Sequence, residues 1–171
     1  MLHIYCGNGK GKTTAAMGLA LRAAGQGWRV VIAQFLKGEQ SGERLALSHV
    51  PGVRLLEVPK TVTFSFRMTE REREEAAERF LRLCSQCEAL MAQGEAQLLV
   101  LDEVCAAVNT GLLPLEQLLD LIDTAPEGTE LVLTGRAPAP ALVRRADYVT
   151  EMRPLRHPYE KGVRARRGIE Y

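Results

Sequence analysis

Three glycines, two lysines and two threonines fall within Gly7-Asn8-Gly9-Lys10-Gly11-Lys12-Thr13-Thr14. The stretch follows an apolar segment, residues 3–6, that reads as a strand, and it opens an Ala- and Leu-rich segment, residues 12–24, that reads as a helix. Glycines let a backbone curl until successive N–H groups point at one anion. A helix starting at that point adds the positive end of its dipole. Lys12 supplies a mobile cation and Thr13 a hydroxyl for Mg²⁺ (or Mn²⁺), the division of labour of a phosphate-binding P-loop. The strict pattern G-x-x-x-x-G-K-[ST] would begin with glycine at position 6. Here that position is Cys6 and the glycine is Gly7, which leaves room for an unusual arrangement of the phosphates.

A second group of chemical interest is Asp102-Glu103, which ends the apolar run Leu98-Leu99-Val100-Leu101. An acid at the end of a buried parallel strand lies at the carboxyl edge of the sheet, where ligands bind. Asp102 is suited to hold the metal directly or through water, and Glu103 to orient water or a ribose.

The elements that must position these groups alternate along the chain. Strands are expected over residues 29–35, 53–58, 98–101, 131–134 and 148–151 besides the first. Helices are expected over 69–93, where Thr69 and Glu72 form a capping box, after Pro114, and over 138–145. Residues 37–43 read as a polar loop. Continuous apolar strands alternating with helices argue an α/β, three-layer fold with a mainly parallel sheet and helices on both faces. The chain reads as one domain, residues 1–171, with an irregular basic tail over about 152–171.

Bulk properties narrow the function. Twenty-two Lys and Arg against 21 Asp and Glu give no field that would attract nucleic acid or an acidic membrane. No apolar run is long enough to span a bilayer, and residues 1–5 lack the form of a signal peptide. A cytoplasmic protein is expected. The four cysteines then read as thiols. Cys84 and Cys87 have C-x-x-C spacing, but they fall on the apolar face of a helical pattern, where buried thiols are the better reading than zinc.

A P-loop with an acidic strand implies a nucleotide and leaves the reaction open between transferase, kinase or phosphohydrolase, and non-catalytic switch. The wording of the sequence goes further. Gly7 to Ala16 (GNGKGKTTAA), Gln34-Phe35-Leu36-Lys37-Gly38, Leu101-Asp102-Glu103 and Leu133-Thr134-Gly135-Arg136 resemble the P-loop type of ATP:corrinoid adenosyltransferases. The likeness is densest in Ala146 to Met152 (ADYVTEM), Arg156-His157-Pro158 and Gly162 to Tyr171 (GVRARRGIEY). The resemblance implies transfer of the 5′-deoxyadenosyl group of ATP to the Co(I) of a reduced corrinoid, with release of tripolyphosphate. The shifted glycine matches that family's loop, which holds the triphosphate reversed relative to ordinary P-loop ATPases.

By resemblance, Gly7, Asn8, Gly9, Lys10, Gly11, Lys12, Thr13 and Thr14 bind the ATP phosphates, while Thr13 and Asp102 hold the metal. No protein nucleophile is implied, since Co(I) attacks. Phe64 and Phe66 fall where relatives place aromatics beside the corrinoid; the other reading is an alternating strand with one buried face. Arg136 suits either a phosphate contact or a structural ion pair, and the basic tail either ligand contact or a solvated surface. His157 reads as structural. Partners implied are ATP, a corrinoid, an electron donor such as a reduced flavoprotein and a second copy in a homodimer, with no nucleic acid and no membrane. This sequence departs from the family pattern at Cys6, where relatives often carry Thr, and at Val104-Cys105-Ala106, which replaces a more polar or aromatic stretch. It also reaches the first strand almost at once, where some relatives have an arm that helps cover the nucleotide.

Overall fold

Every position of Val30–Gln34 and of Leu98–Asp102 is buried, so neither strand has a solvent face. That is the signature of central strands in a parallel sheet covered on both sides. The computed structural model describes residues 1–38, 41–59 and 68–170. Among these, β1 (Leu2–Cys6), β2 (Val30–Gln34), β3 (Val53–Leu55), β4 (Leu98–Asp102), β5 (Glu130–Thr134) and β6 (Tyr148–Glu151) form one sheet in the order β3-β2-β4-β5-β1-β6. All its pairings are parallel.

Because side chains alternate across a strand, the sheet divides its apolar residues between two cores. Val30, Ile32, Leu98, Val100 and Val132 face α1 (Lys12–Gly25) and α2 (Gly42–Leu47), meeting Ala16, Met17, Ala20 and Leu47. The other face carries Val31, Ala33, Leu99, Leu101, Leu131 and Leu133. It packs against α3 (Glu70–Ala92), α4 (Val104–Asn109), α5 (Leu115–Asp123) and α6 (Pro140–Arg145). The expected three layers are therefore present.

The start of α3 shows the expected capping box. The Thr69 side chain accepts from the Glu72 N–H, and the Glu72 carboxylate accepts from the Thr69 N–H at 2.8 Å. A cap of this kind contributes about 1 kcal/mol. The inner face of α3 buries Phe80, Leu83, Cys84, Cys87, Leu90 and Met91, and Phe80 meets Phe35 edge-to-face at 5.2 Å. Burial pushes the Cys84 thiol up to about 12 and raises Cys87 as well, so both are inert core groups. Among the described residues no three His, Cys, Asp or Glu side chains gather as a metal site. No helix among them is long and apolar enough to cross a membrane.

Several boundaries differ from expectation. β3 stops at Leu55, and the 37–43 loop gives way to α2 at Gly42. The helix expected from 138 begins at Pro140, and α4 follows Glu103 directly. Among the described residues beyond β6 there is a 3₁₀ turn, Pro158–Lys161, whose first N–H groups include that of Tyr159, accepted by His157 Nδ1 at 3.2 Å. That is the structural role expected for His157. Parallel strands all end at one edge, so the segments leaving β1, β2, β4, β5 and β6 converge there.

Candidate active site

The glycine loop between β1 and α1 is shaped by what lies against it. The Gly9 N–H donates to the Met152 carbonyl at 2.7 Å, and the Met152 N–H donates to the Cys6 carbonyl at 2.8 Å. A Cβ at Gly7 would stand 2.5 Å from the Met152 oxygen, and one at Gly9 2.7 Å from it. Gly7 and Gly11 also have φ of 99° and 112°, a region that favours glycine. The chain leaving β6 thus forms the floor on which the loop is curled. Lys12 is buried, and its ammonium donates to the Gly9 carbonyl at 2.8 Å. Burial lowers its pKa, opposed chiefly by the charge of Glu103.

The acid at the end of β4 is the centre of a hydrogen-bonded cluster. Gln34, Asp102 and Thr134 close three adjacent strands, and each belongs to the alternation that faces α1, where Thr13 waits on the first turn. Gln34 and Asp102 are register partners. Asp102 is fully buried and accepts at Oδ1 from Thr13 Oγ1 (2.9 Å) and Thr134 Oγ1 (2.7 Å). At Oδ2 it accepts from Gln34 Nε2 (3.0 Å) and pairs with Lys37 Nζ at 3.1 Å. Three neutral donors and a cation suit a buried carboxylate, which is costly when unpaired. Arg44 donates to Gln34 Oε1 at 3.0 Å. Because arginine can only donate, this contact leaves the Gln34 amide N–H for Asp102.

Lys37, from the segment after β2, spreads its ammonium over three oxygens: Asp102 Oδ2, Thr13 Oγ1 at 3.2 Å and Glu43 Oε1 at 2.9 Å. Burial works to lower its pKa, but Asp102 and Glu43 outweigh burial and the net shift is upward. Glu103 is the first residue past the strand and has φ 60° and ψ 20°, a left-handed conformation uncommon for a side-chain-bearing residue. Its N–H donates to Thr134 Oγ1 at 2.8 Å. Burial and then the neighbouring Asp102 raise its carboxyl, against Lys12, Lys37 and Arg136.

A cavity of about 610 Å³ next to this cluster is lined by Lys10, Gly11, Lys12, Thr13 and Thr14 together with Lys37, Glu43 and Glu103. Gly168, Ile169 and Glu170 of the tail complete the wall. Of the residues expected from sequence, Lys10 to Thr14, Asp102 and Glu103 come together. Gly7 and Gly9 shape the loop from beneath, and Asn8 is exposed. Phe64 and Phe66 lie outside the described residues. Gln34, Thr134, Lys37 and Glu43 received no site role from sequence, although Gln34, Lys37 and Thr134 stand inside the quoted motifs; the tail, weighed there between ligand contact and a solvated surface, brings residues 168–170 to the cavity. A polar residue closing each of three apolar strands (VVIAQ, LLVLD, ELVLT) was the available signal. The oxygens of Thr13 and Asp102 are hard ligands that suit Mg²⁺, and the Lys37 ammonium already lies within reach of both, so the donor set fits a small cation.

A glycine loop between the first strand and first helix, with a buried acid at the end of β4, one strand removed from β1 in the sheet, defines a P-loop protein. The whole chain, residues 1–171, matches the family described as ATP:corrinoid adenosyltransferase BtuR/CobO/CobP. The corrinoid adenosyltransferase of Pseudomonas aeruginosa is 35% identical over 176 residues, which cover 100% of this chain and 83% of that protein. That of Escherichia coli is 34% identical over 168 residues, 98% of this chain and 84% of the relative. Corrinoid adenosyltransferase CobA of Salmonella typhimurium matches at 34% with the same 98% and 84% coverage. The chain belongs to the ATP:corrinoid adenosyltransferase family.

Proposed function

We propose that this protein transfers the 5′-deoxyadenosyl group of ATP to the Co(I) of a reduced corrinoid. The reading rests on the Thr13–Asp102 contact at 2.9 Å beneath the glycine loop, in a chain that matches this family from end to end. In the reaction the Co(I) electron pair forms a bond to C5′. The C5′–O bond breaks with its electrons going to oxygen, and the three phosphates leave together as tripolyphosphate. No protein nucleophile is needed, so the chain's work is positioning and charge neutralisation. Gly7 to Thr14 are assigned to the phosphates: the Gly9 N–H is spent on the Met152 carbonyl, the other N–H groups of the loop are left for the anion, and the Lys12 ammonium would turn from the Gly9 carbonyl onto its charge. Mg²⁺, held by Thr13 and Asp102, would offset charge on the leaving triphosphate. Glu103, on the lining of the same cavity, orients water or the ribose.

Phe64 and Phe66 are assigned to the corrinoid side by the family resemblance. A reduced flavoprotein as electron donor, a homodimer, a cytoplasmic setting and action of residues 1–171 as one domain complete the proposal.

The test is to incubate the protein with ATP, Mg²⁺ and chemically reduced corrinoid and to follow the corrinoid absorption spectrum. The expected product is a light-sensitive Co–C species, and Lys12→Ala should form it at least ~100-fold more slowly while remaining folded. An unchanged spectrum with the wild-type protein, or an unchanged rate with Lys12→Ala, would overturn the assignment.

A further inference from the structure

The ammonium of Lys37 occupies a position that its neighbours describe more fully than an ordinary ion pair. Its three acceptors are a carboxylate oxygen of Asp102 (3.1 Å), the hydroxyl of Thr13 (3.2 Å) and a carboxylate oxygen of Glu43 (2.9 Å). A lysine ammonium has three N–H donors, so its full capacity is spent on this one oxygen cluster. Two of the three oxygens come from the residues assigned above to the divalent metal. Asp102 is constrained at both of its oxygens: Thr134 holds Oδ1 at 2.7 Å and Gln34 holds Oδ2 at 3.0 Å. The remaining contacts of the carboxylate are Thr13 and Lys37. The carboxylate is therefore aimed in advance at the point where the ammonium sits.

We infer that Lys37 is a built-in placeholder cation: it neutralises Asp102 while the site holds no metal–nucleotide, and it must leave Asp102 and Thr13 for a divalent ion to enter. The inference rests on the phosphate and metal assignments of the preceding subsection and deepens them. An ion bound by both Asp102 Oδ2 and the Thr13 hydroxyl would take the space the ammonium fills between them, since Mg²⁺ needs its ligands at about 2.0–2.1 Å and octahedral. Lys37 also lines the same cavity as Lys10, Lys12 and Thr14. A modest swing thus carries its charge from the carboxylate onto the incoming phosphates while Glu43 remains within reach.

Two consequences distinguish a placeholder from a structural ion pair. The metal alone is a poor ligand, because it must displace a cation without bringing any negative charge to receive it. Metal with a triphosphate is a good ligand, because the phosphates accept the displaced ammonium. Entry of metal and nucleotide becomes one coupled event, and a bare divalent ion does not fill the site unproductively.

The experiment is a titration of nucleotide-free protein with Mn²⁺, read by the EPR signal of the free ion, for wild type, Lys37→Met and Lys37→Gln. Lys37→Gln keeps a donor without charge and serves where the methionine variant fails to fold. Mn²⁺ binding with ATP present is measured in parallel. Wild type should bind Mn²⁺ weakly alone and tightly with ATP. The neutral variants should bind Mn²⁺ alone at least ~10-fold more tightly than wild type, and the gain from adding ATP should shrink. Neutral variants that bind free Mn²⁺ no better than wild type, while wild type still binds Mn²⁺ with ATP, would overturn the placeholder and leave the function intact. Failure of wild type to bind Mn²⁺ even with ATP would overturn both.

Discussion

The main-chain oxygen of Met152 lies 2.7 Å from the N–H of Gly9, so the last strand of the sheet ends against the loop that follows the first strand. Residues 143 positions apart thereby form one wall beneath the glycine loop. The contact explains both glycines by proximity, to which Gly7 adds a φ of 99°: any side chain at Gly7 or Gly9 would meet the Met152 carbonyl first.

Gly9→Ala tests that wall. Its methyl would stand 2.7 Å from an oxygen that its own N–H must also reach. Either the loop or the exit of β6 has to move, at a cost of about 1–3 kcal/mol by analogy with overpacked cores. ATP affinity, measured by titration calorimetry, should fall at least ~10-fold for a cost above about 1.4 kcal/mol. An alanine variant with wild-type affinity and melting temperature would show that the loop is not held by Met152.

Thr134 is expected to act through Asp102. Its hydroxyl donates to Asp102 Oδ1 and accepts from the Glu103 N–H, so Thr134→Val leaves both groups short of a partner. The loss should be about 1–3 kcal/mol in stability, with weaker Mg²⁺-dependent ATP binding. Thr134→Ser keeps the hydroxyl and should restore most of both. Equal behaviour of the Val and Ser variants in melting and binding experiments would contradict this role.

Glu103 gives a pH dependence with a definite sign. Its folded pKa is raised above the ordinary 4.5, first by burial and then by Asp102. A raised carboxyl means that the folded state disfavours the ionised form. The resulting cost is absent below the unfolded pKa, grows as pH rises through the interval between the two values, and is full above the folded one. Glu103→Gln removes the cost, so the ligand-free variant should melt higher than wild type at about pH 8 and close to wild type at about pH 4. The same variant should lose catalytic rate, the common trade between stability and a strained, buried functional group. A difference in melting temperature that is the same at both pH values would reject the electrostatic account.

The parts of the site that were legible in the sequence are local ones. Gly7 to Thr14 carry their chemistry in consecutive residues, and Asp102 stands out because an acid ends an apolar run. Gln34 and Thr134 sit in equally plain positions, but their meaning depends on β2 and β5 flanking β4, and strand order is not written in any one segment. Lys37 was readable as a loop lysine, whereas its contact with Thr13 requires that order as well. The short helices were hidden for local reasons. α4 starts at a left-handed Glu103, outside the usual N-cap residue types, whereas α2 has Ser41 at its N-cap and Glu43 in its first turn but runs for only six residues from a glycine. The fold class was open to reading because wholly apolar strands demand cover on both faces, a requirement that periodicity alone expresses.

The most direct measurement of the central claim is phosphorus NMR of the products after incubation with ATP, Mg²⁺ and Co(I) corrinoid. Attack at C5′ leaves every P–O–P linkage untouched, so the account predicts intact tripolyphosphate in amounts equal to the Co–C product. Stoichiometric ADP, whether with inorganic phosphate or a phosphorylated acceptor, would place the reaction at phosphorus and contradict it.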